Sequence, residues 1–131
     1  SAKLRAEGIP NSFEFKGTAC FITNIKFENV KSRRLQDHLE ALQSRCHYLD
    51  LTLDTMRDKY LRIKQIARTG KLFGSDYGFT PEQEQEVLDF MFENRNKLRE
   101  MSLRMALKVA DLKKISDKWR VLAESTCMKR A

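Results

Sequence analysis

The sequence has no apolar run approaching the ~20 residues that a membrane-spanning helix needs. Nothing near its start resembles a secretory leader either: Ser1 to Pro10 is polar and lacks an apolar stretch. The two absences predict a cytoplasmic protein with no membrane partner, or an internal fragment of one. Cysteine is scarce too. Cys20, Cys46 and Cys127 form no CxxC pair, and an odd count argues against a disulfide framework. Tetrahedral zinc takes four nitrogen or sulfur ligands, usually in closely spaced pairs. The sequence offers one adjacent pair, Cys46-His47, and scattered singles, so no metal site is predicted and the thiols read as buried and free. A phosphate cradle is also missing. Gly70-Lys71 has no glycine five residues before Gly70, and Leu72 stands where a Ser or Thr would coordinate magnesium. No apolar strand ends in an Asp-Glu pair. His38 and His47 lack a nucleophile turn of the G-x-S-x-G kind. The chain therefore carries no complete catalytic machinery of its own.

What is present is charge and helical periodicity. The 131 residues are 33% charged and 41% hydrophobic, with a net charge of +7. That balance is ordinary for a globular chain and leaves some attraction for phosphate. The basic doublets Arg33-Arg34, Lys113-Lys114 and Lys129-Arg130 are interleaved with acids, so the positive charge is spread along the sequence.

Two textures follow one another. Phe13 and Phe15 alternate with polar neighbours as in a half-exposed strand, and Ala19-Cys20-Phe21-Ile22 reads as an interior strand ending in Thr23-Asn24. Leu35, Leu39 and Leu42 form one helical stripe closed by Ser44-Arg45-Cys46, and His47 to Leu51 reads as another short strand. Strand, helix, strand is a parallel crossover unit, and one such unit needs further strands from elsewhere. From Leu53 the pattern is helical. Leu53, Met56, Tyr60, Ile63 and Ala67 make one stripe, and Thr69 to Phe79, with three glycines, is expected to be a loop. Thr80-Pro81-Glu82-Gln83 spells a capping box with proline at the first helical position. Val87, Leu88 and Met91 form the buried face of that helix, and Glu82, Glu84 and Glu86 complement its dipole. Leu98, Met101, Met105, Val109 and Leu112 make the next stripe, and Ser116 is expected to cap a last helix carrying Trp119, Leu122 and Ala123. The predicted fold is mainly α: a partial parallel α/β segment over residues 1–51, then a four-helix bundle over 52–131. Its core should include Met56, Tyr60, Ile63, Leu88, Met91, Met105, Val109 and Trp119.

Three polar residues stand at element ends. Asn24 lies at the carboxyl end of a predicted strand, where ligands of open parallel sheets bind. Arg45 lies between a helix and the following strand. Arg104 lies at or near the start of the third bundle helix. Each also has a plainer reading: a turn cap, a helix C-terminal cation and a solvent-facing side chain.

Taken in order, these segments resemble the C-terminal part of an AAA+ ATPase. Phe21-Ile22-Thr23-Asn24 looks like the sensor 1 strand, Leu42-Gln43-Ser44-Arg45-Cys46 resembles the arginine-finger segment, and Ser102-Leu103-Arg104-Met105-Ala106 is similar to the sensor 2 helix of the lid. The family's Walker A and Walker B segments have no counterpart here. The resemblance implies that residues 1–51 are the C-terminal portion of an α/β nucleotide-binding core and 52–131 a helical lid. It also implies a ring of identical subunits and a separate N-terminal segment that binds the nucleotide. ATP and magnesium would serve only the intact parent protein. In that setting Asn24 would sense the phosphate or orient water, Arg104 would bridge lid and nucleotide, and Arg45 would reach a neighbour's γ-phosphate. Arg33 and Arg34 are rival fingers. Two other classes compete with this reading: a basic helical module that binds DNA or RNA, favoured by the net charge and by Lys113-Lys114 before Trp119, and a helical protein-interaction module.

Overall fold

Backbone propensity and capping chemistry decide most of the element ends. The computed structural model describes residues 2–131 and contains α1 (Ala2–Ala6), α2 (Arg33–Arg45), α3 (Met56–Thr69), α4 (Gly74–Tyr77), α5 (Pro81–Glu93), α6 (Leu103–Ile115) and α7 (Trp119–Cys127), with a single 3-10 turn over Phe27–Asn29. Contacts divide it into two units, residues 1–49 and 50–131. No helix among the described residues is long and apolar enough to cross a membrane.

In the first unit α2 starts where Ser32 accepts from the Leu35 amide at 3.4 Å, while the Gln36 side chain donates to the Val30 carbonyl. It ends at Cys46, whose extended backbone stops the helix. The predicted parallel sheet is absent: neither residues 13–15, 19–22 nor 47–51 form a strand, and Ile22 is 93% exposed. The reason is backbone satisfaction. A strand exists only against a partner that takes its amides and carbonyls in a ladder, and no described segment pairs with these in that way. Their side chains consequently stay exposed, and none of the buried hydrophobic residues falls in this unit. Phe21, Ile22, Ile25, Phe27 and Val30 line an open apolar groove with Leu35, Leu39 and Leu42 of α2.

The second unit contains the core. Thr55 caps α3 by accepting from the Asp58 amide at 3.0 Å. Tyr60, Ile63 and Ala67, at spacings of three and four, present one buried face. α5 has the predicted capping box, with Thr80 accepting from the Gln83 amide at 3.2 Å and the Gln83 side chain accepting from the Thr80 amide at 2.9 Å. Ser102 caps α6 by accepting from the Met105 amide at 3.1 Å. Of the expected core, Met56 is partly buried at the margin and the other seven are buried.

Three expectations change. Ser116 ends α6 as its C-cap and does not cap α7, although its hydroxyl accepts from the Lys118 amide at 3.1 Å. Leu122 is exposed, because Trp119, Ala123 and Cys127 take the buried face of α7. The segment 69–79 is more than a loop. Gly74 (φ +57°) and Gly78 (φ +62°) adopt left-handed conformations that glycine tolerates, and between them α4 makes one turn. That turn drops Phe73 into the core at 1% exposure, where its ring lies 6.0 Å from those of Tyr77 and Phe79.

Cross-helix contacts fix the directions. Tyr60 meets Phe92, and Arg68 donates to Gln85, so α3 and α5 run antiparallel. Lys113 of α6 binds Glu86 of α5 at 2.6 Å, so those two are antiparallel as well. The chain end returns beside residues 97–99. There Leu98 and Met128 form an isolated antiparallel bridge, with the Arg99 amide donating to Cys127 and the Lys129 amide to Lys97.

Candidate functional site: the basic end of the helical unit

These directions gather charge that is scattered in sequence. The start of α3, the end of α5, the start of α6 and the end of α7 all lie at one end of the second unit. That end carries Arg57, Arg95, Lys97, Arg99, Arg104, Lys129 and Arg130. Carboxylates share the end (Asp54, Asp58, Glu93 and Glu100), yet none forms an ion pair there. The two ion pairs among the described residues, Glu14–Lys16 and Glu86–Lys113, lie elsewhere. Two of the cations are fixed by backbone carbonyls: Arg99 Nε donates to Met128 at 3.0 Å and Arg95 Nη1 to Phe92 at 2.8 Å. A carbonyl orients a guanidinium without neutralising it, so the charge remains available to an anion.

A groove of about 510 Å³ opens from this end between α3 and α5. Arg57, Tyr60, Leu61 and Lys64 line one wall, at the i, i+3, i+4, i+7 spacing of one helix face; Asp89, Phe92 and Arg95 line the other. Phe92 is 41% exposed, its ring 4.9 Å from that of Tyr60, and the Arg95 guanidinium lies over it at 4.4 Å. Asp89 is the one carboxylate in this lining, and its Oδ1 accepts from Gln85 Nε2 at 2.7 Å. Burial pushes the Tyr60 hydroxyl pKa up and the Asp89 charge adds to the rise, with Arg68 pulling the other way. Tyr60 therefore stays a neutral donor at physiological pH. Cations, a stacking surface and one oriented carboxylate equip the groove to hold an anion that carries a flat ring.

The residues singled out from sequence are dispersed. Arg104 belongs to the basic end: it stands in the first turn of α6, exposed and without an ion pair. A cation is disfavoured at that position by the helix dipole. Asn24 and Arg45 lie in the first unit, both exposed, Asn24 outside any helix and Arg45 as the last residue of α2. Arg33 and Arg34 open that same helix, a dozen residues from Arg45. The doublet Lys113-Lys114 is occupied internally. Lys113 binds Glu86 and sits 5.0 Å over the Trp119 ring, while Lys114 donates to the Asp76 carbonyl beside Tyr77. Cys20 and Cys46 are exposed and only Cys127 is buried, which corrects the expectation of three buried thiols: the two exposed ones belong to the unit without a buried core. Among the described residues no three His, Cys, Asp or Glu side chains converge as a metal site would need.

The groove itself was missed from sequence, where Tyr60 reads only as core. No sequence signal singled it out: Phe92 lies four residues from Leu88, and Phe90, outside the Val87, Leu88, Met91 stripe, is buried while Phe92 is exposed. Neither a protein-family profile nor a solved structure matches the chain. Over 113 residues, 85% of its length, the chain is 37% identical to the uncharacterized 36.7 kDa protein in the nrdC-mobD intergenic region of Enterobacteria phage T4, and it spans 34% of that relative's length.

Proposed function

We propose that the helical unit is a nucleic-acid-binding module that grips the phosphate backbone with the basic end of its bundle. The observation that carries this reading is the set of cations there without ion pairs. Folding brings Lys97, Arg99, Lys129 and Arg130 together around the Leu98–Met128 bridge and leaves their charge unneutralised. Each phosphate neutralised releases condensed counterions, so the logarithm of affinity falls with the logarithm of salt by about 0.9 per contact on duplex and about 0.7 on single strands. Binding to a mixed-sequence oligonucleotide, titrated by anisotropy from low to physiological salt, should give a slope of about −3 to −5. Replacing Lys97 and Arg99 with Glu should flatten that slope by about 2. Weak binding with no salt dependence rejects the proposal.

A second reading is the C-terminal part of a ring-forming AAA+ ATPase, in which Arg45 acts across a subunit boundary. It is supported by the place of Arg45: an exposed guanidinium that ends α2 and makes no hydrogen bond or ion pair among the described residues. The segments at 19–22 and 47–51 would then pair with strands that this chain does not supply. In the longer protein Arg45→Ala should lower ATP turnover by about 10³-fold or more while leaving ATP binding intact. Normal turnover in that variant, with loss in Arg33→Ala or Arg34→Ala, reassigns the finger. Normal turnover in all three removes this reading.

A further inference from the structure

Asp89 is out of place on a surface built for phosphate. A carboxylate beside Arg57, Lys64 and Arg95 repels a backbone unless it faces hydrogen-bond donors. It is also oriented: Arg68 Nη2 donates to Gln85 Oε1 at 3.0 Å, and Gln85 Nε2 donates to Asp89 Oδ1 at 2.7 Å. This relay across α3 and α5 leaves Asp89 Oδ2 without a hydrogen bond among the described residues.

The stacking surface beside it is equally prepared. Phe92 backs the Arg95 guanidinium at 4.4 Å, and the Phe92 carbonyl fixes that guanidinium at 2.8 Å. Unpaired bases stack on aromatic rings and on guanidinium planes. At about 510 Å³ the groove falls in the range of small-ligand pockets. On an unpaired base a carboxylate accepts from the exocyclic amino groups of cytosine, adenine and guanine, whereas thymine and uracil offer only the ring N3–H, flanked by two carbonyl oxygens that repel it.

We propose that the α3–α5 groove receives one unpaired base of a single-stranded nucleic acid, stacked on the Arg95–Phe92 pair, with Asp89 accepting from the base's amino group. The module then prefers amino-bearing bases over thymine and uracil. This inference rests on the nucleic-acid reading above and adds to it strand state and base preference.

Anisotropy titrations of the full chain at one salt concentration test it, with labelled oligo-dC, oligo-dA, oligo-dT and a duplex as probes. Oligo-C and oligo-U RNA report whether the sugar matters. Oligo-dC and oligo-dA should bind about tenfold tighter than oligo-dT. Asp89→Asn, which adds a donor suited to thymine O4, should erase that difference. Phe92→Ala should weaken single-strand binding by about tenfold or more and leave duplex binding unchanged. Should Phe92→Ala unfold, Arg95→Gln should weaken single-strand binding by more than it weakens duplex binding, which loses only one backbone cation, with Trp119 fluorescence reporting the fold. Equal affinity for oligo-dC and oligo-dT in the wild type overturns the inference. So does single-strand binding that ignores both Phe92 and Arg95. If salt-dependent binding persists under either result, the backbone-binding reading survives; if no probe binds, both fall.

Discussion

Replacing Phe73 with alanine tests the least expected feature of the fold, that the glycine-flanked segment between α3 and α5 belongs to the core. Phe73 is 1% exposed and makes two ring contacts at 6.0 Å, edge-on to Tyr77 and tilted to Phe79. Large-to-small changes at buried aromatics cost ~3–5 kcal/mol through lost transfer energy and the cavity left behind. Aromatic pairs add ~0.5–1.5 kcal/mol each beyond their area, so the upper part of that range, about 4 kcal/mol, is expected. With a urea dependence of about 1.5 kcal/mol per molar for so small a unit, the unfolding midpoint should fall by roughly 2.5 M. Trp119 is the single tryptophan, is buried, and lies 5.2 Å from Phe90, so its fluorescence reports unfolding of the core without a label. Phe73→Leu keeps most of the volume but loses both ring pairs and should cost about 1–3 kcal/mol, less than the alanine variant, which keeps the comparison readable if that variant is unfolded throughout. A midpoint shift below about 0.5 M for Phe73→Ala would mean that Phe73 is not in the core and that α4 is not a structural element.

Tyr77 donates to Asp111 at 2.6 Å, and that hydrogen bond, then burial, then the charges of Asp111 and Asp76 push its pKa up to about 12. A raised acid pKa means that the folded state holds its proton longer than the unfolded chain, whose tyrosine titrates near ~10. This contribution is whole below ~10 and disappears as pH climbs toward 12, so stability should drop over that window, and Tyr77→Phe should lessen the drop. A pH series of urea midpoints measures it, and an unchanged slope in the variant refutes it. Aromatic-disulfide titration should find Cys20 and Cys46 fast and Cys127 protected until unfolding; three equally fast thiols contradict the burial of Cys127 on the inner face of α7. In hydrogen exchange, the amides of Phe21 and Ile22, which no described backbone group accepts, should exchange far faster than those of Val87 and Val109 in α5 and α6. Equal protection in a monomer would show a partner strand.

Sequence alone determined what depends on near neighbours. The capping box at Thr80 and Gln83, the stop of α2 at Cys46 and the buried stripe of α3 are all contacts within a few residues. Their chemistry is complete before any helix meets another. Arg104 was placed at its helix start for the same reason, whereas the stripe from Leu98 runs past the start of α6, which begins only at Leu103. Strands were misread at residues 19–22 and 47–51 because an apolar run states a preference for burial and does not supply the partner that pairs its backbone. Tertiary structure decided the rest. Phe73 enters the core because α4 turns it inward. Lys113 and Lys114 are taken up by Glu86 and Asp76, which lie 27 and 38 residues away along the chain. The basic end arises because α3, α5, α6 and α7 alternate in direction and the chain end bridges Leu98 to Met128. Charges spread evenly along a sequence become a patch only when antiparallel packing sets the same ends side by side, and that depends on which helix faces meet.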